Sequence, residues 1–165
     1  EVLVRETGAS RYNLYSSYGN KEGLFTAALD RYNQEIIDTR FGPLEQPNAD
    51  LDDILALLEF YGAAGSGPVA GLGCLLCNSA VEFGGRNQPD AVQQYFDRLS
   101  GAFRNALDNA KAKSQLHTDV DTVALSEFLC TNVLGLFVLI RANTDPGRIQ
   151  NAAKQARDYL DRLRR

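Results

Sequence analysis

The chain has 165 residues, of which 44% are hydrophobic and 23% are charged, and its formal net charge at pH 7 is −4. This length favours one domain with one substantial core, and the composition is that of an ordinary globular protein. The negative net charge excludes a generally basic protein that coats nucleic acid, although a local basic surface remains compatible with it.

Two long uncharged runs bear on whether the chain spans a membrane. Residues 60–81 contain Pro68 and several glycines, which argue against one continuous helix. Residues 128–140 are apolar, but this run is shorter than the ~20 residues that a spanning helix needs. We therefore expect no membrane segment and a cytoplasmic protein.

The N-terminal stretch has the pattern of a short helix between two turns. Gly8 is placed to end one helix, and Ser10 is a good N-cap for the next because its hydroxyl can accept an orphan backbone N–H. Asn20 is placed to cap a further helix. Recognition helices contact base edges with their N-terminal residues, whereas hydroxyl and ammonium groups contact phosphates. We predict a DNA-contacting surface made of Ser10, Arg11, Tyr12, Asn13, Tyr15, Tyr18 and Lys21.

Residues 3–24, LVRETGASRYNLYSSYGNKEGL, resemble the helix-turn-helix head of the tetracycline-repressor (TetR) family of bacterial transcription regulators. The glycine, serine, Leu-Tyr and Lys-Glu positions carry the resemblance, whereas Tyr12 stands where the family often has glycine. The chain begins inside this pattern, so the resemblance implies that the family's first helix and the start of its second precede Glu1. It also implies a repressor that binds a palindromic double-stranded DNA operator and responds to a small-molecule effector.

Beyond the head, the hydrophobic periodicity predicts one helix after another and no strand. Thr118 is the predicted cap of the fifth helix, with Asp121 as its capping-box partner, and Asp145 with Pro146 begins the sixth. The six predicted helices cover residues 20–39, 50–64, 74–83 (closed by Gly84-Gly85), 89–113 (opened by Pro89), 118–142 and 145–164.

The sequence thus predicts an all-α protein with a partial helix-turn-helix head in residues 1–19 and a helical body for effector binding and dimerisation in residues 20–165. The TetR resemblance implies that the last two long helices, here residues 119–142 and 145–164, pair with those of a second subunit in a four-helix bundle. An apolar stripe on the last helix needs a partner surface, and a two-fold pairing buries the same patch on both subunits. The predicted homodimer interface consists of Phe137, Ile140, Ile149, Ala153, Ala156, Leu160 and Leu163.

Aromatic side chains are spread over several helices of the predicted body, where they either fill a core or line a cavity. Because the TetR resemblance implies a ligand-binding body, we expect a small apolar or aromatic effector between these helices. Two asparagines are candidates for orienting it, since buried amides need hydrogen-bond partners. The predicted ligand-binding residues are Tyr32, Ile36, Tyr61, Asn78, Phe96, Phe103, Phe128 and Asn132.

The three cysteines leave a second function open. Cys74 and Cys77 lie three residues apart on a predicted helix, which fits a redox pair or half of a metal site. Zinc favours four Cys or His ligands and His117 is the single histidine, so we expect no metal site and no cofactor. Packing in a core is the simpler explanation for these two residues and for Cys130. A thiol-based redox sensor on the same scaffold, with Cys74 or Cys77 as the reactive group, is the alternative to the ligand-responsive repressor.

No pattern of catalytic residues stands out in the sequence. Residues 65–70, GSGPVA, imitate a dinucleotide-binding fingerprint, but they follow no predicted strand and Pro68 interrupts the turn. Asp50, Asp52 and Asp53 open a helix, where carboxylates favour the positive end of the helix dipole. The chain is therefore not expected to be an enzyme, and a helical enzyme or carrier without DNA binding is the weakest alternative.

Overall fold

The structure is a computed structural model that describes residues 2–83 and 90–165, and within these ranges the regular elements are helical. This confirms the predicted all-α class. The described α-helices are α1 Val2–Thr7, α2 Arg11–Tyr18, α3 Lys21–Tyr32, α4 Asp38–Phe41, α5 Leu51–Ala63, α6 Leu75–Phe83, α7 Asp90–Ala112, α8 Thr122–Arg141 and α9 Pro146–Arg162.

Side-chain caps begin the head helices α2 and α3, as the sequence predicts. The hydroxyl of Ser10 accepts a hydrogen bond from the N–H of Asn13 at 3.1 Å, and the Asn20 side chain accepts one from the N–H of Gly23 at 2.8 Å. Between α1 and α2 the chain turns at Gly8, whose φ of 68° lies in the left-handed region that favours glycine. The geometry of the head therefore follows from local sequence signals.

A π-helical turn at Asn33–Ile37 connects α3 to α4, and the three segments form one continuous helix that we call the linking helix. The N–H of Asp38 bonds to the carbonyl of Asn33, five residues earlier, which is the π-helical pattern. The helix continues two residues past its predicted end and finishes at Phe41, whose fully buried ring lies 6.1 Å from that of Tyr61 in α5. The linking helix thus joins the head to the core of the body.

The body is formed by α5 to α9, which turn their apolar faces inward. α5 begins with the capping box of Asp50 and Asp53, as expected for carboxylates at a helix start. α5 and α9 pack closely where Gly62 meets Ala153, since a Cβ added to the glycine would lie 3.0 Å from the alanine Cβ. The fully buried core side chains include Leu29, Ile54, Leu58, Leu107, Leu129, Val133 and Leu160.

The predicted start of the fifth helix is wrong by three residues. α8 begins at Thr122, because Asp121 rather than Thr118 is its cap. The Asp121 carboxylate accepts hydrogen bonds from the N–H groups of Val123 at 3.0 Å and Ala124 at 3.1 Å. A carboxylate that satisfies two orphan donors next to the helix outcompetes a threonine three residues earlier.

The start of α9 is confirmed, because Asp145 caps it by accepting a hydrogen bond from the N–H of Arg148, and Pro146 follows as its first residue. The predicted helix end at Gly84-Gly85 and the predicted start at Pro89 lie outside the described residues.

By length and composition α8 could cross a membrane, but it packs against α5, α6, α7 and α9. Of its most apolar window, 44% is buried inside the protein.

Candidate functional site

The helix α2 presents an exposed polar face. Tyr12 is 80% exposed and Asn13 is exposed beside it. One turn further along, Ser16 and Ser17 lie on the same side by helical spacing and are also exposed. These two serines were not among the predicted DNA contacts, although their spacing of four residues from Tyr12 and Asn13 indicates the same side of a helix. Hydroxyl and amide groups in this array match the donors and acceptors in a DNA major groove.

The other side of α2 carries the remaining predicted DNA contacts. Arg11, Tyr15 and Lys21 line a cleft between α1, α2 and α3, whereas Tyr12 and Asn13 do not. Tyr15 is 55% exposed and Tyr18 is 42% exposed, so their hydroxyls are accessible. The seven predicted residues are thus all exposed, but they do not share one face: Ser10 caps α2, Lys21 begins α3, and the other five lie on different sides of α2.

The charges of the head favour contact with an anion. Arg5 pairs with Glu6 at 2.8 Å, whereas Arg11 and Lys21 have no ion-pair partner among residues 2–83 and 90–165. Two unpaired cations beside exposed hydroxyls form a local positive surface on a chain whose net charge is −4. Phosphate groups of DNA are the anions that such side chains contact most often.

A largely buried cluster of three tyrosines and two cysteines, in which Tyr32 is half-buried, lies where the linking helix meets the body. This tyrosine–thiol cluster consists of Tyr32 of the linking helix, Tyr61 of α5, Tyr95 of α7, and Cys74 and Cys77 at α6. The thiol of Cys74 donates to the Tyr95 hydroxyl at 3.7 Å. Burial raises the pKa of all three phenols, and the neighbouring Cys74 raises each of them further. The phenols therefore remain protonated and are hydrogen-bond donors at neutral pH.

Aromatic rings close the tyrosine–thiol cluster from the sides. The ring of Tyr61 lies 4.8 Å from that of Phe137 in α8 and 6.1 Å from that of Phe41 in the linking helix. Tyr61 is 7% exposed and Tyr95 is fully buried, so a ligand would enter only by displacing these side chains. Two predicted ligand-binding residues, Tyr32 and Tyr61, meet here. Their neighbours Tyr95 and Cys74 were not among the residues predicted to bind a ligand.

Three of the predicted ligand-binding residues lie elsewhere. Ile36 is 44% exposed, because the π-helical turn places it on the outer side of the linking helix. Phe128 is 45% exposed and packs on the surface against Tyr159 of α9, with ring centroids 5.5 Å apart. The Asn78 amide donates to the carbonyl of Leu72 at 3.1 Å, and it therefore holds the preceding loop against α6.

The other three predicted ligand-binding residues divide among separate places. Phe103 is fully buried in the core, and Phe96 lines a surface groove between α7 and α8 with its ring 5.4 Å from that of Tyr95. Asn132 lies one helical turn from Phe128, on the α9 side of α8. Its buried side-chain oxygen has no hydrogen-bond partner within the described residues. Of the eight predicted ligand-binding residues, Tyr32 and Tyr61 are therefore the two that belong to the tyrosine–thiol cluster.

The cysteine environments disfavour thiol reactivity. Cys74, Cys77 and Cys130 are free and buried. Burial raises the pKa of Cys77 to about 11, and burial is also the main cause of the raised pKa of Cys130. Because the thiolate is the reactive form, both groups are poor nucleophiles at neutral pH. This environment weighs against the redox-sensor alternative.

The residues predicted for the dimer interface pack inside a single protomer instead. Their apolar stripe on α9 is used against α5 and α8, where the small side chains permit close helix packing. A partner cannot contact side chains that the protomer itself covers, so this assignment is corrected. Leu163 is half-buried, and the buried ones are Phe137, Ile140, Ile149, Ala153, Ala156 and Leu160.

An apolar stripe remains on the outside of the same two helices. We call it the α8–α9 face. Its residues recur every three or four positions, and Val138, at the end of the stripe on α8, is 52% exposed. The rings of Phe128 and Tyr159 join the two helices on this face. Its members are Ala124, Phe128, Thr131, Gly135 and Val138 on α8, and Ala152, Gln155 and Tyr159 on α9.

Comparison with known proteins places this architecture among transcription regulators. The model of the tetracyclin repressor-like C-terminal domain matches residues 51–156, which is more than half of the chain. The HTH-type transcriptional regulator YezE of Bacillus subtilis (strain 168) is 28% identical over 164 residues, which cover 96% of this chain and 84% of YezE. The sequence similarity thus extends over the head and the body.

Solved structures have the same fold. A TetR regulator from Chloroflexus aurantiacus J-10-FL superposes with a TM-score of 0.82 at 23% identity, over 98% of this chain and 83% of that chain. A cysteine mutant of the TetR family regulator CifR, complexed with 26-base-pair operator DNA, superposes with a TM-score of 0.80 at 24% identity, over 94% of this chain and 83% of that chain.

Proposed function

Since the chain belongs to the tetracycline repressor-like (TetR) family of DNA-binding transcription regulators, which are not enzymes, we propose that it is a cytoplasmic, homodimeric repressor. It binds a palindromic double-stranded DNA operator and leaves the operator when a small, largely apolar effector binds to the body. One observation carries the proposal: the capped, exposed helix α2 is joined by a continuous linking helix to a buried cluster of phenols.

The DNA contact is assigned to residues 10–21. Asn13 and Arg11 read bases from the first turn of α2, because Asn matches adenine and Arg matches guanine in the major groove. Tyr15, Tyr18 and Lys21 hold phosphates. The assignment of this segment to DNA is supported by the exposure of all five side chains and by the absence of an ion-pair partner for either cation within the described residues.

The dimer is assigned to the α8–α9 face. An exposed apolar stripe on two adjacent helices is unfavourable in water, and a two-fold axis would cover the same stripe on both subunits. Obligate interfaces of this kind bury more than ~2,000 Å² in total. With two heads held at a fixed distance, the protein contacts two half-sites of a palindrome.

The effector is assigned to the tyrosine–thiol cluster. Three protonated phenols offer hydrogen bonds, and the charge of nearby Arg40 lowers the pKa of Tyr61 against the larger effect of burial. A neutral, aromatic molecule with a hydrogen-bond acceptor fits this largely buried environment, because moving an ion into it from water is costly. Displacement of Tyr32 would act directly on the linking helix.

Mobility-shift assays with an operator selected from random DNA by the intact protein test the DNA contact. Arg11→Ala should cost roughly 1–3 kcal/mol and relax specificity at one base pair, and Asn13→Ala should do the same at another. Lys21→Ala should weaken binding to all sequences alike. If Arg11→Ala and Asn13→Ala keep the specificity of the wild type, α2 does not read the operator.

A titration tests the effector. Neutral aromatic ketones should include compounds that lower operator affinity at least tenfold, which requires about 1.4 kcal/mol of coupling. Tyr32→Ala should change that response, whereas Val81→Ala, at an exposed position of α6 outside the α8–α9 face, should not. If no such compound shifts operator affinity and hydrogen peroxide does, the redox-sensor alternative replaces this proposal.

A further inference from the structure

One arginine of α7 joins three successive segments of the chain around the end of the linking helix. Arg98 contacts Asp38 at 2.6 Å and Asn33 at 3.4 Å, and its guanidinium donates twice to Glu45, once at 2.7 Å. Asn33 opens the π-helical turn, Asp38 opens α4, and Glu45 lies in the 3₁₀ turn Gly42–Glu45 that follows. We call these four residues the Arg98 node.

The chemistry of the Arg98 node suits a stable attachment of the end of the linking helix to α7. A guanidinium has five donors in a rigid planar fork, so it can serve one carboxylate with two parallel bonds and still reach other acceptors. The hydrogen bonds that Arg98 donates to Glu45, followed by its hydrogen bond to Asp38, raise the pKa of Arg98 above its ordinary value. The arginine is therefore charged at every accessible pH, and its side chain is only 28% exposed.

Further hydrogen bonds fix the Glu45 side of the node to the same helix. The Asn105 amide of α7 donates to the carbonyl of Leu44 at 2.8 Å and to that of Gln46 at 2.9 Å. The Asn109 amide donates to the carbonyl of Pro47 at 3.1 Å. Residues 44–47 are thus attached to α7 through their backbone, and Glu45 gives Arg98 a firm support.

The node divides the linking helix into two parts. Residues after the π-helical turn are bound to α7, whereas residues before it lead to the DNA-binding head. A π-helical turn carries one extra residue per turn and is a frequent site of helix bending. Tyr32 of the tyrosine–thiol cluster directly precedes this turn, so the cluster and the bending point are adjacent.

We propose that Arg98 is a positioning residue for DNA recognition, which fastens the end of the linking helix to α7 and thereby fixes the distance between the two recognition helices of the dimer. Movement of the head is then confined to the π-helical turn. The proposal rests on the proposed dimeric operator binding. It predicts that Arg98 controls how sharply the protein distinguishes half-site spacings, beyond any effect on stability.

The test uses the selected operator and two versions of it, with one base pair added or removed between the half-sites. Each change moves a half-site by about 3.4 Å and rotates it around the duplex, so the wild-type protein should lose at least tenfold in affinity. Arg98→Gln should reduce this discrimination at least threefold. The matched control is Arg104→Gln, because Arg104 also lies on α7, is 57% exposed and pairs with Asp108 of its own helix.

The remaining outcomes separate positioning from stability. If Arg98→Gln binds all three spacings more weakly by one common factor, or discriminates as the wild type does, the proposal is overturned. If Arg98→Gln fails to fold, Glu45→Gln is measured in its place. This variant keeps the ion pair between Arg98 and Asp38, so it should lose part of the discrimination between half-site spacings. A wild-type protein that binds all three half-site spacings equally contradicts the proposed function itself, because this result does not depend on any substitution in the Arg98 node.

Discussion

The head and the body of this protein are stabilised in different ways. α1 and α2 contain no buried side chain, and the start of α2 depends on one serine cap and one glycine turn. α5, α7, α8 and α9 together bury most of the core, with leucines such as Leu58 and Leu129 fully covered. A binding surface must leave its side chains exposed, whereas a regulatory body must be packed well enough to transmit a displacement.

This difference separates two kinds of mutational effect. Substitutions in α2 should change DNA binding and leave global unfolding unchanged, because they remove no packing. Substitutions in the core should unfold the protein before any question of binding arises. The linking helix belongs to both regions, since its first residues extend from the head and its last residue, Phe41, is fully buried.

The largest expected effect comes from placing the same charged side chain in each region. Leu160→Arg puts an unpaired charge at a position with no exposure and should cost more than about 4 kcal/mol of folding free energy. Tyr12→Arg, at a position that is 80% exposed, should change it by no more than about 0.5 kcal/mol. Urea denaturation, monitored by circular dichroism, measures the folding free energy of both variants. Equal losses in the two would contradict the difference between head and body.

The next effect concerns the surface of the body. Val138→Arg should leave each protomer folded and dissociate the proposed dimer, because a two-fold pairing through the α8–α9 face would bury the added cation of each subunit. Its matched control is Val81→Arg on α6, where the valine is 74% exposed outside this face. Light scattering at micromolar concentration distinguishes the two, and a dimer that survives Val138→Arg would refute this interface.

Helix caps give a smaller effect that should appear in different measurements for the two regions. Asp121→Ala removes the cap of the core helix α8 and should lower global stability by about 1 kcal/mol. Ser10→Ala removes the cap of α2 and should leave the thermal midpoint unchanged while it speeds hydrogen exchange in Arg11–Tyr18. A drop in the thermal midpoint with Ser10→Ala would mean that the head folds cooperatively with the body.

The smallest effect is a pH dependence that belongs to the body alone. The Lys113 ammonium, 2.6 Å from Asp50, lowers the pKa of that carboxyl below its ordinary 3.8. The folded state therefore gains stability above this pH and loses it as the pH falls through the lowered pKa. Asp50→Asn should flatten the loss of unfolding free energy on acidification by less than about 1 kcal/mol. The exposed Asp119→Asn serves as control, and an unchanged acid profile in Asp50→Asn would exclude this pair as a cause.

The sequence predicted the head better than the body because the head is specified locally. Ser10 and Asn20 cap the helices that their positions indicate, and no distant residue is needed to place them. The same kind of local signal gave the wrong cap at Thr118. Two possible caps, the Thr118 hydroxyl and the Asp121 carboxylate, lie within four residues, and Asp121 caps α8 because it accepts hydrogen bonds from two backbone N–H groups.

Residue roles in the body depend on which side of each helix faces which neighbour, and periodicity alone does not give this. The α9 stripe containing Ile149 and Leu160 was correctly apolar, but its partner is the protomer's own α5 and α8. Ile36 has the right spacing for the inner face, and the π-helical turn rotates it outward. Arg98 gave no signal at all, because its acceptors lie more than fifty residues away in the sequence.

The central claim is that α2 reads DNA sequence, and fluorescence anisotropy of the intact protein on labelled DNA tests it most directly. Dissociation constants are compared at physiological salt for the selected operator and for a shuffled duplex of the same composition. The account predicts an affinity ratio of at least about 10³ in favour of the operator, and a clearly smaller ratio for Asn13→Ala. Equal affinity for the two duplexes, or a ratio that Asn13→Ala and Arg11→Ala leave unchanged, would contradict it.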